Sequence, residues 1–198
     1  MRVLIACEES QRVCIAFRER GFEAYSCDVI SCSGGHPEWH IKDDVLKHLD
    51  DGWDLMIAHP PCTRLANSGV RWLNERNLWD EMRQGCEFFN KIKAARINRK
   101  CLENPIPHKY AVELIGKYTQ IIQPHYFGDK ESKATCLWLF GLPQLKRIHF
   151  IDKAELKQST WREPPSKERQ AIRSKTFPGI ARAMATQWGD YILNEVQL

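Results

Sequence analysis

Apolar residues come in short runs separated by mixed or polar stretches, and two kinds of spacing alternate from the first residues onward. Arg2–Ala6 (RVLIA) is an unbroken apolar run of buried-strand type. In 10–20, Val13, Cys14 and Phe17 recur at helical spacing, and Gly21 supplies the stop. Residues 23–27 (EAYSC) read as a second strand with Asp28 at its C-terminal end, and 30–40 as a loop rich in turn residues. A third strand, 53–58 (WDLMIA), runs into the polar loop HPPCTRLANSG. Residues 77–95 form a helix with Leu78, Met82, Cys86 and Phe89 on one face. A short strand at 100–102 leads into Glu-Asn-Pro, and 108–117 is helical. Residues 120–123 and Thr135–Phe140 are later strands. The stretch 158–174 is polar, basic and broken by Pro164-Pro165, as a surface loop or small insertion would be. Last, 179–195 is a helix with Ile180, Ala183, Met184, Trp188, Tyr191 and Ile192 on its apolar face.

This alternation predicts an α/β fold, a mostly parallel central sheet with helices on both faces. One domain over 1–198 is expected, with a short basic loop at about 141–175. The composition agrees: 43% hydrophobic and 27% charged residues exclude disorder, collagen-like repeats and a disulfide mini-scaffold. No apolar run approaches the ~20 residues of a membrane helix. The opening MRVLIACEES ends its apolar run in acids rather than a small-residue cleavage site, so no signal peptide and a cytoplasmic location are expected. The eight cysteines should then be reduced thiols. A net charge of +4 permits a polyanionic partner without requiring one.

In open α/β sheets, ligands bind beyond the carboxyl ends of the strands. Cys7-Glu8-Glu9-Ser10, Asp28 and His59-Pro60-Pro61-Cys62 fall there. An acid at the end of the second strand suits a ribose-bearing cofactor, because a carboxylate accepts both hydroxyl protons. The first turn has no Gly-x-Gly-x-x-Gly fingerprint, which disfavours a dinucleotide pyrophosphate. Two prolines fix where the Cys62 thiol points, as a nucleophile needs, although a buried cysteine in a proline turn would look the same. Glu103, in Leu102-Glu103-Asn104-Pro105, is a second candidate: an acid near a reactive thiol can protonate a ring nitrogen while the thiol adds elsewhere on the ring. Cys27, Cys32, His36 and His40 have the ligand types and number for zinc, but their spacing matches no common finger, and no metal is assigned. Lysines and arginines from Lys130 to Arg182, with Trp161 among them, suit either a nucleic-acid backbone or a solvated face.

Taken in order, these features resemble the cytosine-C5 DNA methyltransferase family, in a small form common in phages and prophages. The resemblance covers most of the chain and implies a Rossmann-like class I methyltransferase fold with S-adenosylmethionine as cofactor. It implies that Cys62, in HPPC, is the nucleophile and that Glu103, in LENP, engages the cytosine ring at N3, with Pro61 and Asn104 beside them. By the same resemblance Cys7, Glu8, Glu9, Ser10, Asp28, Val29, Asp44, His59 and Pro60 line the cofactor site, and 176–185 (TFPGIARAMA) closes it. Thiolate addition at C6 with protonation at N3 would turn cytosine into an enamine whose C5 attacks a methyl group. A cytosine within a duplex would first be flipped out.

Three departures stand out. CEES replaces the family's Phe-x-Gly-x-Gly turn. SKATC replaces its Gln-x-Arg-x-Arg element, leaving Lys133 as the nearby cation. About 25 residues separate Phe140 from Pro165, where a separate recognition domain needs about 50 or more. The expected partner is therefore DNA read with weak sequence specificity, with a protein partner supplying target recognition as a further option. Two alternatives stay open: the same C5 chemistry on a free pyrimidine nucleotide, and an inactive methyltransferase-fold module that binds nucleic acid or protein. No membrane partner is expected.

Overall fold

The computed structural model describes residues 1–157 and 174–196. The expected basic loop at 158–174, with Trp161 and the Pro164-Pro165 break, lies outside the described residues but for Ser174. The strands are β1 (Arg2–Ala6), β2 (Glu23–Asp28), β3 (His40–Lys42), β4 (Leu55–Ala58), β5 (Lys100–Pro105), β6 (Gln120–Ile122) and β7 (Thr135–Phe140). The helices are α1 (Arg12–Glu19), α2 (Arg71–Glu75), α3 (Trp79–Lys93), α4 (Lys109–Ile115), α5 (Pro178–Ala183) and α6 (Gly189–Val196). A π-helical turn, Met184–Trp188, joins the last two. No helix among the described residues is long and apolar enough to cross a membrane.

The strands form one sheet in the order β3-β2-β1-β4-β5-β7-β6. β1 to β5 pair in parallel, while β7 runs antiparallel to both neighbours. Successive side chains point to opposite faces, and both faces are covered. Val3 and Ile5 of β1 join a core with Val13 and Phe17 of α1 and Ile180 and Trp188 near the C-terminus. Leu4 and Ala6 join the opposite core with Met82, Cys86 and Phe89 of α3 and Ile115 of α4. The result is a Rossmann-like α/β fold with one antiparallel strand, β7.

Four details differ from the sequence expectation. β3, within and just beyond the expected 30–40 loop, is three half-exposed residues that pair with β2. β5 continues through Glu103, Asn104 and Pro105, because β7 pairs with it over all six residues. The short helix α2 lies just beyond the polar stretch after Cys62, ahead of the expected 77–95 helix. The expected C-terminal helix carries a π turn that sinks Trp188 fully into the core, with its indole N–H donating to the Pro143 carbonyl at 2.9 Å.

Candidate functional site

β1 and β4 are neighbours, but α1 packs on one face of the sheet and α3 on the other. The chain therefore diverges between them and opens a crevice beyond their carboxyl ends. The β1 turn, the ends of β2 and β3, the loop after β4 and the end of β5 meet there.

The β1 turn is strained at two non-glycine residues, Cys7 and Gln11, each with φ of 58°. Left-handed backbone costs about 1–2 kcal/mol at such residues. Glu8 turns inward and is 4% exposed. Its carboxylate accepts the Val13 N–H at 2.8 Å and the Cys14 N–H at 3.2 Å, satisfying orphan donors of the first turn of α1. Glu8 was expected to line the cofactor site; its carboxylate caps a helix instead. Burial pushes that carboxyl up, against the His59 charge and the two N–H donors. Gln11 is fully buried, and its amide grips the backbone N–H and carbonyl of His36 at 3.1 and 2.8 Å. Gly34 lies so close that an added Cβ would sit 2.5 Å from the Gln11 Cβ. Ser33 N–H donates to the Glu9 carbonyl at 2.8 Å, so the β2–β3 loop lies along the β1 turn. Ser10 is buried under it.

Asp28 and Asp44 are half-buried, and each accepts a local backbone N–H, from Ile30 at 3.2 Å and Leu46 at 3.0 Å. Burial raises the Cys7 thiol first, and the charges of Asp28, Cys27 and Asp44 raise it further. Cys7, Asp28 and Asp44 are thus gathered on the β1–β3 side of the crevice. Val29, next to Asp28, is 67% exposed.

On the β4–β5 side, two loops are stitched together. Asn104 is 1% exposed and donates its amide to the Pro60 carbonyl at 2.8 Å. The Cys62 carbonyl accepts the Leu65 and Ala66 N–H groups, both at 2.9 Å. His108 donates its backbone N–H to Leu65 and bonds the Arg64 carbonyl at 2.9 Å through Nε2. Pro60 is buried, Pro61 exposed and Cys62 half-buried. The thiol-bearing turn is therefore fixed to the strand that carries Glu103.

His59 was expected among the cofactor-lining residues. Its Nδ1 lies 3.1 Å from Glu103 Oε2, with the two side chains 10% and 17% exposed. Burial pushes the imidazole down, but the Glu103 hydrogen bond and the Glu103 and Glu8 charges outweigh it and raise its pKa. Burial pushes Glu103 up, but the His59 bond and the charges of His59 and Lys133 hold it below the usual carboxylate range. The pairing has a signal in the chain. Ala58 pairs with Leu102 across β4 and β5, so the residues one step beyond each face one another. A small, shallow cleft opens beside Glu103, walled by Lys133, Thr135, Thr176, Phe177 and Ile180.

The zinc candidates do not converge. His36 stacks on Trp39 at 3.9 Å and pairs with Glu38. His40 spends both nitrogens on Ser26 Oγ and the Ile30 carbonyl. Among the described residues there is no group of three or more metal-ligating side chains.

No family model and no curated protein matches this chain. Solved structures do. An Entamoeba histolytica methyltransferase, EhMeth, aligns with a TM-score of 0.52 at 14% identity, over 75% of this chain and 57% of its own. The Dnmt2 methyltransferase of S. pombe aligns at 0.47 and 12%, over 73% and 51%. A structure described as a DNA modification methyltransferase encoded within an E. coli prophage aligns at 0.44 and 14%, over 70% and 46%. The chain spans about half the length of these structures. At such identities the likeness is one of fold, and it rests on the first of the three together with the strand order: this chain has a methyltransferase fold.

Proposed function

We propose that this chain is an S-adenosylmethionine-dependent methyltransferase acting at C5 of cytosine in DNA. The observation that carries the reading is the Asn104–Pro60 hydrogen bond, which fixes the turn bearing Cys62 to the strand bearing Glu103 at the mouth of a cleft. A thiol and an acid held on one frame are what addition across a pyrimidine ring needs.

The donor set on the β1–β3 side fits S-adenosylmethionine. Asp28 would hold the ribose hydroxyls and Asp44 the adenine amino group. Their shared effect on Cys7 supports a common location. When bound, the cofactor supplies an electrophilic methyl group. Glu9 lies in the β1 turn beside this region, Pro60 faces it from the β4–β5 side, as the resemblance implies, and Glu8 braces the turn through α1.

The chain's own groups do the rest. Cys62, as its thiolate, forms the bond to C6 of the ring, and the displaced C5–C6 electron pair shifts through C4 to N3, where Glu103 supplies a proton. After methylation, loss of the C5 proton expels the thiolate and the N3 proton returns. Lys133 on the cleft wall, over the Phe177 ring, would meet an anionic group of the nucleotide. The same cleft, with so few residues between Phe140 and the C-terminal helices, favours a second reading: the same chemistry on a free pyrimidine nucleotide.

The test is label transfer from methyl-labelled S-adenosylmethionine to duplex DNA, single-stranded DNA or deoxycytidine monophosphate, with Cys62→Ser as control. Label in either DNA, lost in the control, is the expected result. Label in the mononucleotide alone selects the second reading. No label anywhere, with no cofactor binding, overturns both and leaves a binding module.

A further inference from the structure

The pairing of His59 with Glu103 has no part in the chemistry above. His59 leaves β4 immediately before the two prolines, and its Nδ1 meets Glu103 Oε2 at 3.1 Å. Its Nε2 is buried with no hydrogen-bond partner. A histidine retained only to fill space and satisfy hydrogen bonds would engage both nitrogens, as His40 does. Two charged groups face the pair, Glu8 from the β1 turn and Lys133 from the segment before β7, together with the neutral thiols of Cys101 and Cys136 beside Glu103. Glu8 cannot serve as an outward acid, because its oxygens are taken up by α1.

We propose that His59 is a positioning residue that shares one proton with Glu103, so that the acid meeting the substrate ring is the pair rather than Glu103 alone. The proposal rests on the pyrimidine reading of the site. Before addition, the pair carries one proton more than a carboxylate beside a neutral imidazole. As the Cys62 thiolate bonds to C6 and the ring electrons move to N3, that proton passes to N3. A Glu103 carboxylate beside a neutral His59 is left behind. Elimination of the thiolate reverses the transfer. The His59 bond and the charges of His59 and then Lys133 hold the Glu103 carboxyl below the usual range, while Glu103 raises His59, so the proton the ring takes up is held on the His59 side of the pair.

Two measurements test it. The first needs no turnover: the imidazole nitrogen signals of His59 are followed against pH in the wild type and in Glu103→Gln. The midpoint should fall by about one pH unit or more in the variant. The same midpoint in both proteins overturns the proposal. The second is the pH profile of label transfer in His59→Asn, whose amide can still donate to Glu103 but cannot hold a proton. The kcat should drop about 100-fold, with KM for S-adenosylmethionine within about twofold and the basic limb moved to lower pH. A wild-type rate and profile in this variant would mean that the histidine only props up the carboxylate, and would overturn the proposal. If the wild type shows the nitrogen shift but transfers no label to any substrate, the shared proton stands and the methyltransferase reading falls.

Discussion

Glu8 offers the sharpest separation between a residue that serves the fold and one that serves a ligand. Its two oxygens satisfy the Val13 and Cys14 N–H groups in a setting that is 4% exposed. Glu8→Ala leaves both donors buried and unmet, each costing about 1–3 kcal/mol. Relief from burying a carboxylate offsets part of that, since burial pushes this carboxyl up. A net loss of about 3 kcal/mol follows, which for a chain of this length lowers Tm by about 7 °C. Glu8→Gln keeps one acceptor and should lose about half as much. The assay is thermal and urea unfolding without ligand, in which the urea midpoint should move at constant slope. A carboxylate held ready for a cofactor behaves in the opposite way: removing it leaves the free protein unchanged or firmer and weakens only binding. A Tm within about 1 °C of wild type in Glu8→Ala, together with loss of S-adenosylmethionine binding, would refute the capping assignment.

Cys7 occupies left-handed backbone, so Cys7→Gly should hold stability within about 1 kcal/mol while Cys7→Val loses about 2 or more, as urea unfolding would report. The His59–Glu103 pair gives stability a pH window. His59 has a raised pKa, so its share is full below the ordinary 6.5 and is lost as pH rises through the folded value. Glu103 has a lowered one, so its share is full above the ordinary 4.5 and is lost as pH falls through its folded value. The Tm gap between wild type and His59→Asn should therefore be widest between pH 4.5 and 6.5 and shrink on both sides. In the native protein, Cys62 and Cys32 should alkylate well before Cys14, Cys27, Cys86, Cys101 and Cys136, which are buried; peptide mapping after brief labelling reads the order. Gly179→Ala should cost at least about 2 kcal/mol, because the new methyl would overlap the Phe127 carbonyl and lie 2.5 Å from Asp129 Oδ2; calorimetry measures it.

Much of the framework was visible in the chain because strands covered on both faces, such as β1 and β4, are unbroken apolar runs. The same property hid the direction of β7: TCLWLF looks alike whether it runs with its neighbours or against them. β3 escaped because three half-exposed residues after a Gly-Gly turn have no period. Pro105 marked β5 as ending early, since proline usually stops a ladder, yet here it pairs with Thr135 at the strand's end. At the site, the thiol and acid loops could be brought together in thought once β4 and β5 were taken as neighbours. The direction of each acid could not. Glu8 and Glu9 are one residue apart with the same side chain, and only the path of α1 decides that the first turns inward. The resemblance assigns His59 to the cofactor wall, and a single strand-end position does not show which way its ring turns. The register of Ala58 with Leu102 turns it to Glu103.

The seam between Gln11 and Gly34 constrains how this molecule can change over generations. Position 34 has no room for a side chain while the Cβ of residue 11 stands 2.5 Å from where it would begin. Gln11 is itself held in a backbone shape that glycine adopts freely, and it secures the loop by both ends of its amide. Neither site can drift alone. A Gly34→Ala change is not relieved by shortening residue 11, because any residue but glycine keeps that Cβ and the Ser10 carbonyl oxygen also stands 2.8 Å away. The β1 turn and the β2–β3 loop are thereby inherited as one unit, and a library that varies either segment should vary both.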